Sequence, residues 1–423
     1  MKQELERICA LNPENLGTAT PQDFLFKYID ISSVEKGRIH WGQVSRYKFS
    51  EAPSRARRRV KKDDVLLCTV RPGLQAHARI PKEDGVPFVA STGFAALRPY
   101  NEEDSSFVFH QLFSKDIVAQ LRSKEVGSSY PAVNESDVRQ LSIFMPEPSQ
   151  RKAIGKVLDT IDEAIAQTES VIAKLKQVRA GMLHDLLSYG LDENGQLRNP
   201  VAHPEQFKDS PLGRIPRAWD SGPLSQFVLS AEYGISTSLG DKGYPVLRMN
   251  NLSEGEAELS DLKYSAAPVP EGLWLRPGDV LFNRTNSWEH VGRTGIWRGQ
   301  IERATFASYL VRLNPNPDRL ISELLNLWLN WPVTQIAIRR FATPAVQQVN
   351  INPTNLRQVR AAFPISINEQ TEIVERINRQ DMTIRSARAE HIKLMHLKSG
   401  LQDDLLTGRV RVPETIMEGA ENA

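Results

Sequence analysis

The side chains in this sequence best suited to chemistry are cations and amides, and what they could do is hold a phosphate backbone. Arg55, Arg57, Arg58, Arg59, Lys61 and Lys62 place six cations within eight residues, directly ahead of a β-rich run from Asp63 to Val70. A loop of this kind suits phosphate contact, because each neutralised phosphate releases condensed counterions and that release drives binding. The competing expectation is a solvated loop balanced by Glu51, Asp63 and Asp64. Arg71 opens the next turn, and Asn283, Arg284 and Asn286 open the turn after a matching run, Val280 to Phe282. Arg and Asn carry the paired donors and acceptors that read guanine and adenine edges in a major groove. Arg79, Arg293, Arg298 and Arg303 follow in the same loops.

Enzyme signatures are missing. No G-x-x-x-x-G-K-[ST] loop is present to cradle a nucleotide phosphate. The Asn-Pro pairs at 12, 199, 314, 316 and 352 lack the second proline and aromatic of an adenine-methyltransferase loop. Asp261-Leu262-Lys263 has half of a nuclease motif but no Pro-Asp shortly upstream, and Ser45-Arg46-Tyr47-Lys48 lacks the partners of an S-x-x-K site. His391 and His396 are five apart, on different faces of a helix, which disfavours a shared metal. The reading is of a chain with no catalytic, cofactor or metal site of its own.

Composition narrows the class. Across 423 residues, 53 Lys and Arg face 51 Asp and Glu, a net charge of +2, so a histone-like polycation is excluded and only local patches can grip an anion. Two cysteines, Cys9 and Cys68, exclude a disulfide scaffold and a Cys-based zinc site. Met1-Lys2-Gln3-Glu4-Leu5 has no apolar signal core, and Ile321 to Val333 is broken by Glu323, Asn326 and Asn330. A cytoplasmic protein is expected.

The elements that must position these residues come as a tandem repeat. Asn134 to Leu141 reads against Asn352 to Val359 at an offset of 218. Asp64 to Leu67 matches Asp279 to Phe282 at 215, Phe26 to Ile29 resembles Tyr244 to Leu247 at 218, and Asp185 to Ser188 matches Asp404 to Thr407 at 219. Each half then shows short β-rich runs followed by a long helix. From Gln150 to Ser188, Ile154, Leu158, Ile161, Ile165, Ile172, Leu175, Met182 and Leu186 step by three and four, with Thr168 and Arg179 interrupting. From Asn368 to Leu406, Ile373, Ile377, Ile384, Ala387, Leu394, Leu401 and Leu405 follow the same rule, interrupted by Gln380, His391 and Lys398. A repeat of 3.5 residues predicts that the two helices pair as a coiled coil; the alternative is that each packs on its own β-rich region. The fold class is therefore α+β: two tandem α/β regions, each followed by a long helix, the helices forming an antiparallel coiled coil. The parts are a first region at 1–148, a helix at 149–188, a linker at 189–214, a second region at 215–366, a helix at 367–408 and a frayed tail at 409–423.

At the helices the sequence resembles a known family. Pro148-Ser149-Gln150-Arg151-Lys152-Ala153-Ile154, with Leu158, Ile161, Asp162, Ile165 and Leu186-Leu187-Ser188, is similar to the conserved helical region of type I restriction-modification specificity (S) subunits. Asn368-Glu369-Gln370, Ile373, Ile377 and Leu405-Leu406-Thr407-Gly408-Arg409 resemble its second copy, and Leu212 to Trp219 looks like the opening of the second target-recognition domain. Ser149 stands where Glu is usual, and Asp381-Met382 replaces an Ile-Asp step. The resemblance implies that each domain reads one half of a split double-stranded DNA site and that the helices dock two methyltransferase (M) subunits. It also implies that S-adenosylmethionine, ATP and Mg2+ are used by those and by restriction/translocase (R) subunits, with no cofactor on this chain. Two other classes stay open: a stand-alone nuclease or DNA methyltransferase with an unrecognised site, and a coiled-coil scaffold without DNA binding.

Overall fold

The computed structural model describes residues 2–81, 84–127, 130–345 and 348–421. The chain divides into two compact units, Met1–Val171 with Ala387–Ala423, and Ile172–Ser386. The division cuts through both long helices, so each unit owns one strand-rich region and a stretch of each helix. Among the described residues no helix is long and apolar enough to cross a membrane.

In unit 1 two four-stranded sheets share a core. One runs in the order Ser45–Lys48, Leu25–Ile29, Phe88–Ser91, Ala56–Val60; the other runs Cys9–Leu11, Phe94–Pro99, Val65–Cys68, Ala78–Arg79. Val65–Cys68 is apolar at every position because both of its faces are covered. Leu66 and Cys68 pack with Ile29, Val60 and Phe88 of the facing sheet, whereas Val65 and Leu67 pack with Phe107, Leu112, Ile154 and Leu158 on helices. Side chains alternate across a strand, so one short run can seal two layers.

Unit 2 repeats the arrangement. Val280–Asn283 sits inside a six-stranded sheet, with Leu281 packed against Leu247 and Phe306, and Val280 and Phe282 packed in the cluster that holds Ile373 and Ile377 of the second long helix. A small three-stranded sheet joins Thr285–Asn286, Gln348–Ile351 and Ala342–Ala345.

The long helices span Pro148–Tyr189 and Ile367–Leu405. Inside unit 1 they run antiparallel: Asp162 pairs with Lys398 and, seven residues on, Glu169 pairs with His391, seven residues back. Inside unit 2 Arg179 meets Asp381, and Gln380 donates to the Leu175 carbonyl at 3.2 Å. Of the residues that interrupt the apolar stripes, Arg179, Gln380, His391 and Lys398 bond from helix to helix.

Three sequence expectations change. The basic run is a strand, Ala56–Val60, rather than a loop, because Ala56 and Val60 are buried and Phe88–Ser91 pairs with it. The 189–214 segment is ordered on unit 2: Glu369 accepts from the Leu191 N–H at 3.0 Å and from Arg198 at 2.6 Å, and Phe207–Ser210 forms a hairpin with Gly213–Pro216. The tail is docked where it begins. Gln150 donates to the Val412 carbonyl at 2.9 Å and accepts its N–H at 3.0 Å, burying Val412 beside Leu405 and Leu406.

Candidate nucleic-acid interface

In unit 1 the basic strand divides its cations between two environments. Its register shifts between the pairs Ala90↔Arg58 and Ser91↔Ala56, a bulge that leaves Arg57 as the extra residue. Arg57 and Arg59 lie over Phe49 and Phe24, with guanidinium carbons 5.1 and 5.8 Å from the ring centres. Those rings belong to a small cluster with Phe26, Tyr28 and Val89, so two cations cap an apolar outer face. Arg58 turns the other way. It donates to Asn15 at 2.8 Å and stands 3.8 Å from Glu135, with its Nε buried and unbonded. Arg55 is exposed, Lys61 stands 3.8 Å from Glu102, and Lys62 lies 3.3 Å from Asp63. These loose, exposed pairs leave the cations available to a phosphate.

Arg71 sits at the turn after Val65–Cys68 in left-handed backbone, φ 50°, and stacks on Tyr130 at 4.3 Å. Arg79 does something else. It pairs with Asp159 at 2.9 Å, and the fully buried His110 binds the other oxygen of that carboxylate at 2.8 Å. Burial pushes the Asp159 carboxyl up, but the His110 bond and the Arg79 charge together hold it below its ordinary value. Arg79 therefore ties the strand region to the long helix and is removed from the recognition set.

In unit 2 Arg284 stacks on Tyr233 at 5.0 Å and donates to the Ser308 carbonyl at 3.4 Å. Asn286 accepts from the Ser287 N–H at 2.8 Å, and Arg293 is exposed. Asn283 is fully buried and cannot meet a base edge. It is a clamp: its N–H donates to the Arg293 carbonyl, its carbonyl accepts from Gly292, and its amide reaches the Met249 carbonyl. Gly292 has φ +88°, and a Cβ there would meet the Gln335 side chain at 2.8 Å, so the loop can close only on glycine. Arg298 is held by Glu256 and Glu323, and Arg303 lies over Trp274.

The structure places Arg71 and Arg284 each beside a central strand of its unit. Sequence reasoning missed their aromatic partners, Tyr130 and Tyr233, which lie far along the chain and carry no local signal. Among the described residues no cluster of three or more His, Cys, Asp or Glu side chains is arranged to hold a metal ion. What remains is a pair of platforms, each a guanidinium laid on an aromatic ring beside a braced loop. Such platforms suit planar, anionic polymers.

A strand-rich region repeated in tandem, with long helices attached, defines the class: a two-domain α+β protein. Comparison with known proteins makes it specific. Residues 52–177 match the family described as the type I restriction modification DNA specificity domain. A putative type I restriction enzyme MjaX specificity subunit of Methanocaldococcus jannaschii is 27% identical over 208 residues, 48% of this chain and 49% of that one. The MjaVIII specificity subunit of the same organism is 23% identical over 320 residues, 73% of this chain and 71% of the other. The first of these alignments thus spans about half the length of the relative. Among solved structures, a chain from a type I restriction-modification system studied for its assembly and conformational transition superposes with a TM-score of 0.59, at 22% identity, over 96% of this chain and 97% of that one. The S subunit from M. genitalium superposes with a TM-score of 0.55 at 14% identity over 96% of both; likeness at these identities concerns the fold. Residues 52–177 thus match the DNA specificity domain, and the chain is similar to specificity subunits of type I restriction enzymes.

Proposed function

We propose that this chain reads DNA sequence for a type I restriction-modification complex. Each strand-rich region reads one half of a bipartite double-stranded site, and the helix pair docks two methyltransferase subunits, with restriction/translocase subunits joining them. The chain itself carries out no chemistry. S-adenosylmethionine, ATP and Mg2+ serve the partner subunits, and the complex works in the cytoplasm. The observation that carries this reading is an arginine laid on a tyrosine beside the central strand of each unit, Arg71 on Tyr130 and Arg284 on Tyr233, in a chain that matches the specificity domain. In this reading Arg55, Arg57, Arg59, Lys61 and Lys62 of unit 1 meet phosphates, and Arg71, Arg284, Asn286 and Arg293 read base edges.

Methylome sequencing of a host carrying the complete system tests the reading. It is expected to return one split motif, and replacing residues 215–365 with the same segment of another such subunit is expected to change one half of that motif only. Simultaneous loss of both halves in a folded complex, or cleavage or methyl transfer by the purified chain alone, would overturn it.

A further inference from the structure

Among the bulky apolar side chains that each unit exposes, one stands at nearly the same point of the repeat in both units. In unit 1 the turn after Val65–Cys68 passes through Pro72–Leu74, and Leu74 is 59% exposed. In unit 2 the loop after Val280–Asn283 carries Trp288, 53% exposed. The two stand six and five residues past the ends of equivalent strands. The segments behind them correspond as well. Val70 bridges to Ala132, and Arg71 donates to the Pro131 carbonyl; Thr285 and Asn286 pair with Asn350 and Val349, and Ile351 donates to the Arg284 carbonyl. From Val70 to Thr285 is 215 residues and from Ala132 to Asn350 is 218, the offsets of the sequence repeat.

Neither side chain is exposed because its loop is slack. Leu74 is the last residue of a 3-10 turn whose flanks, Arg71 and Gln75, both have positive φ, and Pro72 beneath it is buried. Trp288 belongs to a turn closed by the His290 and Val291 N–H groups on the Ser287 carbonyl, and Val291 is fully buried. Gln335 fixes the loop's far side by donating to the Gly292 carbonyl at 2.7 Å. Apolar surface left in water is unfavourable, so two anchored loops that both project it point to a partner with an apolar surface. The surroundings name the partner. Arg71, stacked on Tyr130, stands three residues before Leu74, and Arg284 and the exposed Arg293 lie on either side of Trp288 in sequence. Glu289, the acid at the second tip, is drawn back onto its own N–H and the Ser287 hydroxyl, which hold its carboxyl below the ordinary range. An apolar tip with cations beside it matches a base stack edged by phosphates.

We propose that Leu74 and Trp288 are wedges, each pressed against a base step of one DNA half-site. This rests on the DNA-reading function above. Apolar wedges partly unstack a step, and an aromatic ring stacks on whichever base it meets. The wedges would therefore add affinity through the deformability of a step, beyond what hydrogen bonds to base edges give.

The experiment uses the full chain assembled with its methyltransferase subunits, and duplexes carrying 2-aminopurine at successive half-site positions. The methylated adenine is left out, because methyl transfer itself requires that base to leave the stack. Emission is expected to rise at one step in each half-site. Leu74→Ala should abolish the rise in one half-site and Trp288→Ala in the other, while Trp288→Phe keeps it. Trp288→Ala should also weaken target binding by roughly 5- to 150-fold, the worth of one stacked base, with the salt slope unchanged. Unaltered emission and affinity in both variants would overturn the proposal, as would both variants acting on the same half-site. Weakened assembly with the methyltransferase subunits at unchanged DNA affinity would make the tips protein contacts and overturn it too. If the unmutated complex does not discriminate between sequences, the DNA-reading function itself fails, and that result appears before any variant is made.

Discussion

Arg179 and Asp381 face each other across the two long helices of unit 2 in a two-point contact, with one guanidinium nitrogen on each carboxylate oxygen. Arg179 is one of two breaks in an apolar stripe, and Asp381 departs from the pattern of the family. Each looks like a flaw alone, and together they fix the register of antiparallel helices. Both side chains are about a quarter exposed, so water screens the pair and its worth is modest. Arg179→Ala is expected to lower stability by about 1 kcal/mol, and the exchange Arg179→Asp with Asp381→Arg should recover most of the loss. A double-mutant cycle on thermal unfolding measures this; no coupling between the sites would mean that the register is set by the apolar stripe alone.

The arginines of strand Ala56–Val60 should separate into two kinds. Replacing Arg57 and Arg59 by Ala is expected to weaken binding to all DNA sequences alike and to flatten the log–log salt slope by about 0.9 for each phosphate no longer neutralised. Arg58→Ala should leave the slope alone and cost about 1–3 kcal/mol of stability, since the Asn15 carbonyl oxygen loses its donor and Glu135 loses one of its cations. Salt titrations of the three variants beside their unfolding curves decide it. A changed slope for Arg58→Ala alone would reverse the assignment.

Asn283 should behave as part of the loop's frame. With the side chain fully buried, Asn283→Ala is expected to cost about 1–3 kcal/mol and to speed amide exchange over 284–292, while the motif methylated by the surviving complex stays the same. A changed motif with normal exchange would restore Asn283 as a reader.

His77 predicts the acid response of unit 1. Its Nδ1 accepts the Cys68 N–H at 3.1 Å, and burial pushes the imidazole from 6.5 down to about 3. With the folded value below the unfolded one, the unfolded chain takes up the proton first as pH falls. The stabilisation is full above about 6.5 and is lost between there and about 3, with a slope approaching ~1.4 kcal/mol per pH unit. His77→Phe should be less stable at pH 7 yet lose stability less steeply on acidification. Equilibrium unfolding from pH 7 to 4.5 reads the difference, and equal slopes would show that His77 is protonated without cost.

The sequence by itself determined the repeat, the two helices and the central strands of each half. These depend on local periodicity and composition: an apolar stripe of period 3.5 marks one face of a helix, and the short β-rich runs at Val65 and Val280, punctuated by Pro-Gly pairs, mark strands. It also placed Arg71 and Arg284 at the turns that follow those strands. Tertiary structure decided what each polar residue does, because that depends on partners distant in the chain. Arg58 and Arg59 are neighbours of one type, yet strand alternation sends one to Glu135 and the other over Phe24. Asn283 and Arg79, with the right chemistry for bases, are held by the Met249 carbonyl and by Asp159. The compact units follow the same logic. Antiparallel helices bring residues near 398 beside residues near 162, so unit 1 closes with the end of the chain, and no local pattern in the sequence could announce it.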